Sequence, residues 1–172
     1  ETRIEEYAWI EAAEWADSLG ADIINTSLGY TTFDDPSTNY SYRDMDGKTA
    51  AISVANSMAA DRGMVSVTSA GNSGNDNWYY IGAPADATNI LAVGAVDPEG
   101  SLASFSSRGP TYDRRIKPDV AAMGLMTAVQ STDGNIRLGA GTSYASPLIA
   151  GATALLWQAY PTLPSKTLMQ WI

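Results

Sequence analysis

Apolar positions near the start of the chain recur at helical spacing: Ile4, Ala8, Ala12, Trp15 and Leu19 follow one another at steps of four and three. The pattern predicts an amphipathic helix with that stripe turned to the core, and Gly20 is its stop. The helix is under way from the first residue, with only Thr2 available as a cap before Ile4, which suggests a piece of a larger domain. Residues 22–28 read as a buried strand ending at Gly29, and residues 30–47, rich in Thr, Asp, Asn, Tyr and Pro, as a long loop of the kind often tied to function. Residues 48–62 give a second helix with Ala51, Ile52, Ala55, Met58 and Ala59 on its inner face and Gly63 as terminator. Residues 64–70 and 90–96 are apolar strands separated by a Gly/Asn-rich loop. Strand, helix, strand with short turns predicts a parallel sheet. Short strands follow near 119–122, 126–130 and 136–138, then a long helix over about 142–159 and a short one near 165–171. There is no internal repeat and no low-complexity segment.

Composition narrows what such a fold does. The chain has 172 residues, 45% of them apolar, enough for a compact domain with a core. No apolar run reaches the roughly 18 residues of a membrane span, and the charged opening Glu1-Thr2-Arg3-Ile4-Glu5-Glu6 is no signal peptide. A net charge of -9 argues against nucleic acid, which needs a basic face. Without Cys there is no disulfide, thiol chemistry or cysteine-based zinc site. The chain also has no His, so a hydroxyl nucleophile here lacks the base it most often uses.

The strongest chemical signal is Gly139-Ala140-Gly141-Thr142-Ser143-Tyr144-Ala145-Ser146-Pro147. Glycines permit a sharp turn and close approach, and deliver Ser143 to the first turn of a helix, where free N–H groups and the helix dipole favour negative charge. An oxyanion formed at Ser143 would lie beside those donors. Pro147 has no N–H to give the Ser143 carbonyl, which is left free. An ordinary glycine loop with a serine cap fits the same spacing. A dinucleotide fingerprint fails because Tyr144 stands where the third glycine belongs, and no Gly-Lys-Ser/Thr triplet exists for a P-loop. Gly141 to Ala145 approximates the nucleophile elbow of α/β-hydrolases, but only 29 residues follow Ser143 (172 minus 143) and none is His. Partners of Ser143 would therefore lie upstream, before Glu1. Ser69-Ala70-Gly71-Asn72-Ser73-Gly74 ends a strand and is either a turn or a device for aiming an amide into a cleft. Thr26-Ser27-Leu28-Gly29 is a strand end at the place where parallel sheets bind ligands. Asp44-Met45-Asp46-Gly47 departs from calcium-loop spacing and reads as a solvated acidic loop. Asn25 and Asn39 match the glycosylation pattern, the first in a predicted buried strand, and Trp9, Trp15 and Trp157 read as core or interface.

Taken together, Gly141-Thr142-Ser143-x-Ala145-Ser146-Pro147, Ala70-Gly71-Asn72 and Ser27-Leu28-Gly29 resemble the subtilisin family of serine peptidases. Gly94-Ala95-Val96, Phe105-Ser106-Ser107-Arg108-Gly109-Pro110, Lys117-Pro118-Asp119-Val120 and Ala150-Gly151-Ala152 extend the similarity in order over nearly the whole chain. The resemblance implies a three-layer α/β parallel-sheet fold, here incomplete, with residues 1–172 forming a single partial peptidase domain that lacks the N-terminal strands and the Asp and His motifs. It implies Ser143 as nucleophile and Asn72, with the Ser143 backbone N–H, as the oxyanion site. Ser27, Leu28 and Gly29 would pair with an extended polypeptide substrate, and Ala70, Gly71 and Thr142 would border its pocket. It further implies an endopeptidase that is secreted or in the cell envelope of a bacterium. The chain alone would be inactive, and would bind its missing N-terminal part or self-associate. Calcium is common in the family, but its clearest ligand sets lie partly outside this chain. Tyr144 stands where Met is usual, and the loop 30–47 looks long, so Tyr40 and Tyr42 are expected to border the cleft and tune specificity. Alternatives are a non-catalytic peptide-binding or assembly relic, and the related Ser-Glu-Asp peptidases, which usually have Asp where Asn72 stands.

Overall fold

The computed structural model describes residues 1–172. Its elements follow in the order α1 (Ile4–Ser18), β1 (Ile23–Thr26), α2 (Ala51–Asp61), β2 (Val65–Ser69), β3 (Leu91–Val96), β4 (Val120–Met123), β5 (Leu125–Gln130), β6 (Ile136–Ala140), α3 (Thr142–Ala159) and α4 (Ser165–Trp171). Strands β1 to β4 form a parallel sheet in chain order, with Asn25 opposite Val67, Thr68 opposite Ala92 and Gly94 opposite Ala121. Strands β5 and β6 form a separate antiparallel hairpin that leads into α3.

Strand β2 is buried along its whole length, so its alternation separates two interiors rather than core from solvent. Val65 and Val67 join Leu91, Val93, Ala145 and Leu168 in an apolar layer under α3 and α4. Ser66 and Thr68 face α2, where Asn56 accepts from Ser66 Oγ at 2.5 Å and donates to Thr68 Oγ1 at 3.1 Å. A buried polar pair is thereby satisfied by one amide side chain. Two helical layers thus sandwich the sheet, as the sequence predicts.

Helix α1 departs from expectation. Its buried residues are Glu6, Trp9 and Ala13, while Ile4, Trp15 and Leu19 of the predicted core stripe are 73%, 68% and 68% exposed and Ala8 and Ala12 are exposed too. The helix rotates because Trp9 anchors it, its indole N–H donating to Thr26 Oγ1 at 3.2 Å, and because Glu6 is drawn inside by distant partners. On α2, Met58 is likewise exposed, and Ser53, Asn56 and Ala60 are buried beside Ile52 and Ala59. Thr2 does not cap α1, whose N-cap position is Arg3 without a side-chain bond.

The loop 30–47 is more interior than its composition suggests. Tyr30, Phe33, Tyr40 and Met45 pack with Trp9, Ala13, Ile52 and Ala83 in one apolar cluster. Arg3 lies 4.5 Å from the Phe33 ring centre and 3.7 Å from that of Tyr40, and bonds Glu6 Oε2 at 3.0 Å. Tyr40 donates to the Glu6 carboxylate at 2.8 and 3.0 Å, and burial together with that carboxylate pushes its phenol well above the ordinary value. The segment 44–47 is not a solvated acidic loop: Met45 and Gly47 are buried, and Asp44 and Asp46 accept from nearby backbone N–H groups. Gly47 N–H donates to Asp86 Oδ2 at 2.7 Å and Ser53 Oγ to Asp86 Oδ1 at 2.5 Å. Burial raises the Asp86 carboxyl above the usual range, opposed by those two bonds.

Candidate active site

Neighbouring parallel strands end at the same edge of a sheet, so the turns after β1 and β2 meet there. The N-terminus of α3 arrives at this edge as well, and the three together line a cleft of about 160 Å³. Leu28, Gly29, Ala70, Gly71, Asn72, Thr142 and Ser143 all lie on its wall. Ser27 adjoins it through direct bonds to Ser143. The residues that the resemblance marks as nucleophile, oxyanion site and substrate-binding wall are therefore brought to one place.

Asn72 is held in a defined orientation. Its Oδ1 accepts from Thr142 N at 2.8 Å and from Thr142 Oγ1 at 3.0 Å, and Thr142 Oγ1 in turn accepts from Gly71 N at 3.2 Å. The oxygen half of the amide thus caps the start of α3, and the NH2 half is left for a ligand. Gly71 makes this turn with φ of +107°, and a Cβ there would stand 2.9 Å from Ser107 Oγ, so neither its backbone nor its surroundings suit another residue. Ser143 is half-buried, and its Oγ donates to the Ser27 carbonyl at 3.3 Å, an acceptor that cannot serve as a base. Pro147 lies inside α3, and the Ser143 carbonyl it frees accepts from Ser27 Oγ at 3.1 Å. Tyr144 packs its ring on Gly139, where a Cβ would come within 2.7 Å of it.

The remaining cleft residues escaped sequence reasoning. Thr31, Trp78, Tyr80 and Ser107 also line it. Tyr80 stacks on Tyr42 with ring centres 3.9 Å apart, and Tyr42 donates to the carbonyls of Pro110 and Thr111 at 3.0 and 3.1 Å. Tyr42 therefore backs the cleft through Tyr80 rather than bordering it. Tyr40 does not border it at all, being buried against Glu6. The aromatic run Trp78-Tyr79-Tyr80 in an otherwise Gly/Asn-rich loop was the available signal. For calcium, no group of three or more acidic side chains converges anywhere in the chain, and its residues do not fit a carboxylate-rich site. No helix is long and apolar enough to cross a membrane.

A sequence profile of the subtilase family (peptidase S8) matches residues 2–172. Subtilisin DY of Bacillus licheniformis is 39% identical over 92% of this chain and 51% of its own, and subtilisin E of Bacillus subtilis (strain 168) is 37% identical over 91% and 36%. The chain thus spans about half, or less, of the length of these relatives. Among solved structures, the self-cleaved protease domain of PatA superposes with a TM-score of 0.75 at 27% identity, over 96% of this chain and 57% of that one. A cold-adapted subtilisin-like serine proteinase gives 0.72 at 25% identity, over 95% and 52%. With its motifs, fold and cleft in agreement with these matches, the chain belongs to the subtilase family.

Proposed function

We propose that residues 1–172 are the nucleophile-bearing part of a subtilisin-like serine endopeptidase domain. The observation that carries this reading is the shared cleft in which Ser143 opens α3 and Asn72 is turned by Thr142 so that its NH2 faces a ligand. Ser143 is the nucleophile. Asn72 Nδ2 and the Ser143 backbone N–H stabilise the oxyanion of the tetrahedral intermediate. Ser27, Leu28 and Gly29 bind extended polypeptide by strand addition, and Ala70, Gly71 and Thr142 wall the pocket before the scissile bond. PatG, a macrocyclase of 0.70 TM-score and 25% identity, has been solved with a peptide, in keeping with a peptide ligand here.

The proton acceptor comes from polypeptide outside this chain, which has no His. Helix α3 supports that division. Leu148 and Leu155 on it are 46% and 70% exposed, and β1 is an edge strand of the sheet, so the rest of the domain would have both an apolar face and a strand edge to cover. The chain by itself should bind that part or self-associate, and light scattering that shows a lone monomer at high concentration contradicts this. We place the enzyme outside the cytoplasm, as secreted bacterial subtilisins are. The missing imidazole also suits a non-catalytic relic that binds peptide. Peptide hydrolysis by the complete domain separates the two: turnover lost in Ser143→Ala supports the peptidase, and absent turnover in the unsubstituted domain supports the relic.

A further inference from the structure

The first turn of α3 is loosened by its own sequence. Pro147 cannot donate to the Ser143 carbonyl four residues earlier, so the helix bond that would fix the Ser143 peptide is missing. The residue just after strand β1 supplies a substitute. Ser27 Oγ donates to the Ser143 carbonyl at 3.1 Å. Asn25 Nδ2 donates to Ser27 Oγ at 3.1 Å, and Asn25 Oδ1 accepts from Ser146 Oγ at 2.8 Å. Ser143 and Ser146 stand three residues apart on one helix face, so a single amide on β1 grips the turn at both ends. Ser146 is fully buried, whereas Asn25 and Ser27 are exposed.

We infer that Asn25 and Ser146 are positioning residues for the Ser143 nucleophile, acting through Ser27 as a clamp in place of the helix bond that Pro147 removes. This rests on the peptidase reading above. Thr142 is already tied to Asn72 in the turn after β2, so the serine is slung between two asparagines, one on β1 and one just past the end of β2. The direction of the clamp matters. Were the Asn25 amide reversed, its oxygen would attract the Ser27 hydroxyl and the Ser143 carbonyl would lose its only replacement donor. Small displacements of a nucleophile cost much in rate, so a clamp on the peptide that carries Oγ acts on turnover more than on binding.

The test uses the complete peptidase domain. Asn25→Asp keeps size and the acceptor for Ser146 but removes the donor to Ser27, and an exposed position tolerates the charge for folding. Ser146→Ala removes the other grip without adding charge. Each should lower kcat about three- to tenfold, the worth of one hydrogen bond, with KM changed less than about twofold. The rate of fluorophosphonate labelling should fall by the same factor, and the double variant should lose less than the product of the two single losses. If both folded variants keep the parent kcat and labelling rate while only the melting temperature falls, the bonds are structural and the clamp is overturned. Multiplicative losses in the double variant also overturn it. A Ser143→Ala control separates the two levels: if it retains full turnover, the peptidase reading itself fails, whereas a dead control beside fully active Asn25→Asp and Ser146→Ala refutes the clamp alone.

Discussion

Two segments leave neighbouring strands at the same edge of the sheet and come to opposite ends. The turn after β2, residues 70–74, is short, and its amide side chain points at the start of α3 with half of its hydrogen-bonding capacity spare. The segment after β1 that spans residues 30–47 is long and turns inward, and its Tyr40 satisfies the buried Glu6 carboxylate while Arg3 stacks on Phe33 and Tyr40. One region keeps donors free for a ligand. The other commits its buried Tyr40 hydroxyl to holding α1 in place. Free polar capacity at a strand end, rather than loop length or aromatic content, is what marks the site.

The largest effect that sharpens this contrast concerns Asn72. In the complete domain, Asn72→Ala should lower kcat about 10²–10³-fold with little change in KM, a magnitude carried over from subtilisin rather than obtained from this geometry. Asn72→Asp keeps the acceptor for Thr142 and removes the donor, so near-equal loss shows that the NH2 half is what counts; full activity breaks the contrast. In the other region the reverse should hold. Glu6→Ala leaves Arg3 and Tyr40 without their buried partner and should cost about 2–3 kcal/mol by urea unfolding, below the range for fully buried pairs because Arg3 is 33% exposed. The folded variant should keep its kcat, and a lost kcat at unchanged stability would put Glu6 in the site. Between the two regions lies Tyr42, which touches the cleft only through Tyr80. Tyr42→Ala should shift KM for peptides by about two- to fivefold, as loss of one aromatic stack implies. An unchanged cleavage profile across a peptide library refutes its buttressing role.

The smallest effect is a pH dependence behind the loop. An unfolded aspartate ionises near 3.9, and Asp86 is held above that by burial. Between the two values the folded state holds more protons than the unfolded state, so the contribution of Asp86 to stability falls as pH rises through the window. Wild type should lose stability relative to Asp86→Asn as pH is raised from about 4, read as the difference in urea midpoints. A difference that stays flat would show the carboxyl to be unshifted.

The sheet and the cleft were legible because they are written in local order. Strands β2 and β3 fall within a residue of their apolar runs, and Gly141-Thr142-Ser143 with Pro147 announces a turn, a helix start and a freed carbonyl within a few positions. Helix α1 departs from its apolar stripe because it carries apolar residues on two faces, and periodicity cannot choose between Trp15 and Trp9. The choice is made by Thr26 and by Tyr40, which lie 17 and 34 residues from their α1 partners Trp9 and Glu6. Tyr40 lies away from the cleft for the same reason: its carboxylate partner, Glu6, is distant in sequence. Tyr80 and Ser107 went unassigned because a cleft wall built by several loops has no local spacing to read.

The most direct measurement is active-site labelling with a fluorophosphonate, mapped by peptide mass spectrometry. Labelling of the complete domain should fall on Ser143, and the isolated 172-residue chain, which has no His, should remain unlabelled under the same conditions. Adduct on a serine other than Ser143, or equal labelling of the isolated chain, would contradict a nucleophile built here and activated from outside.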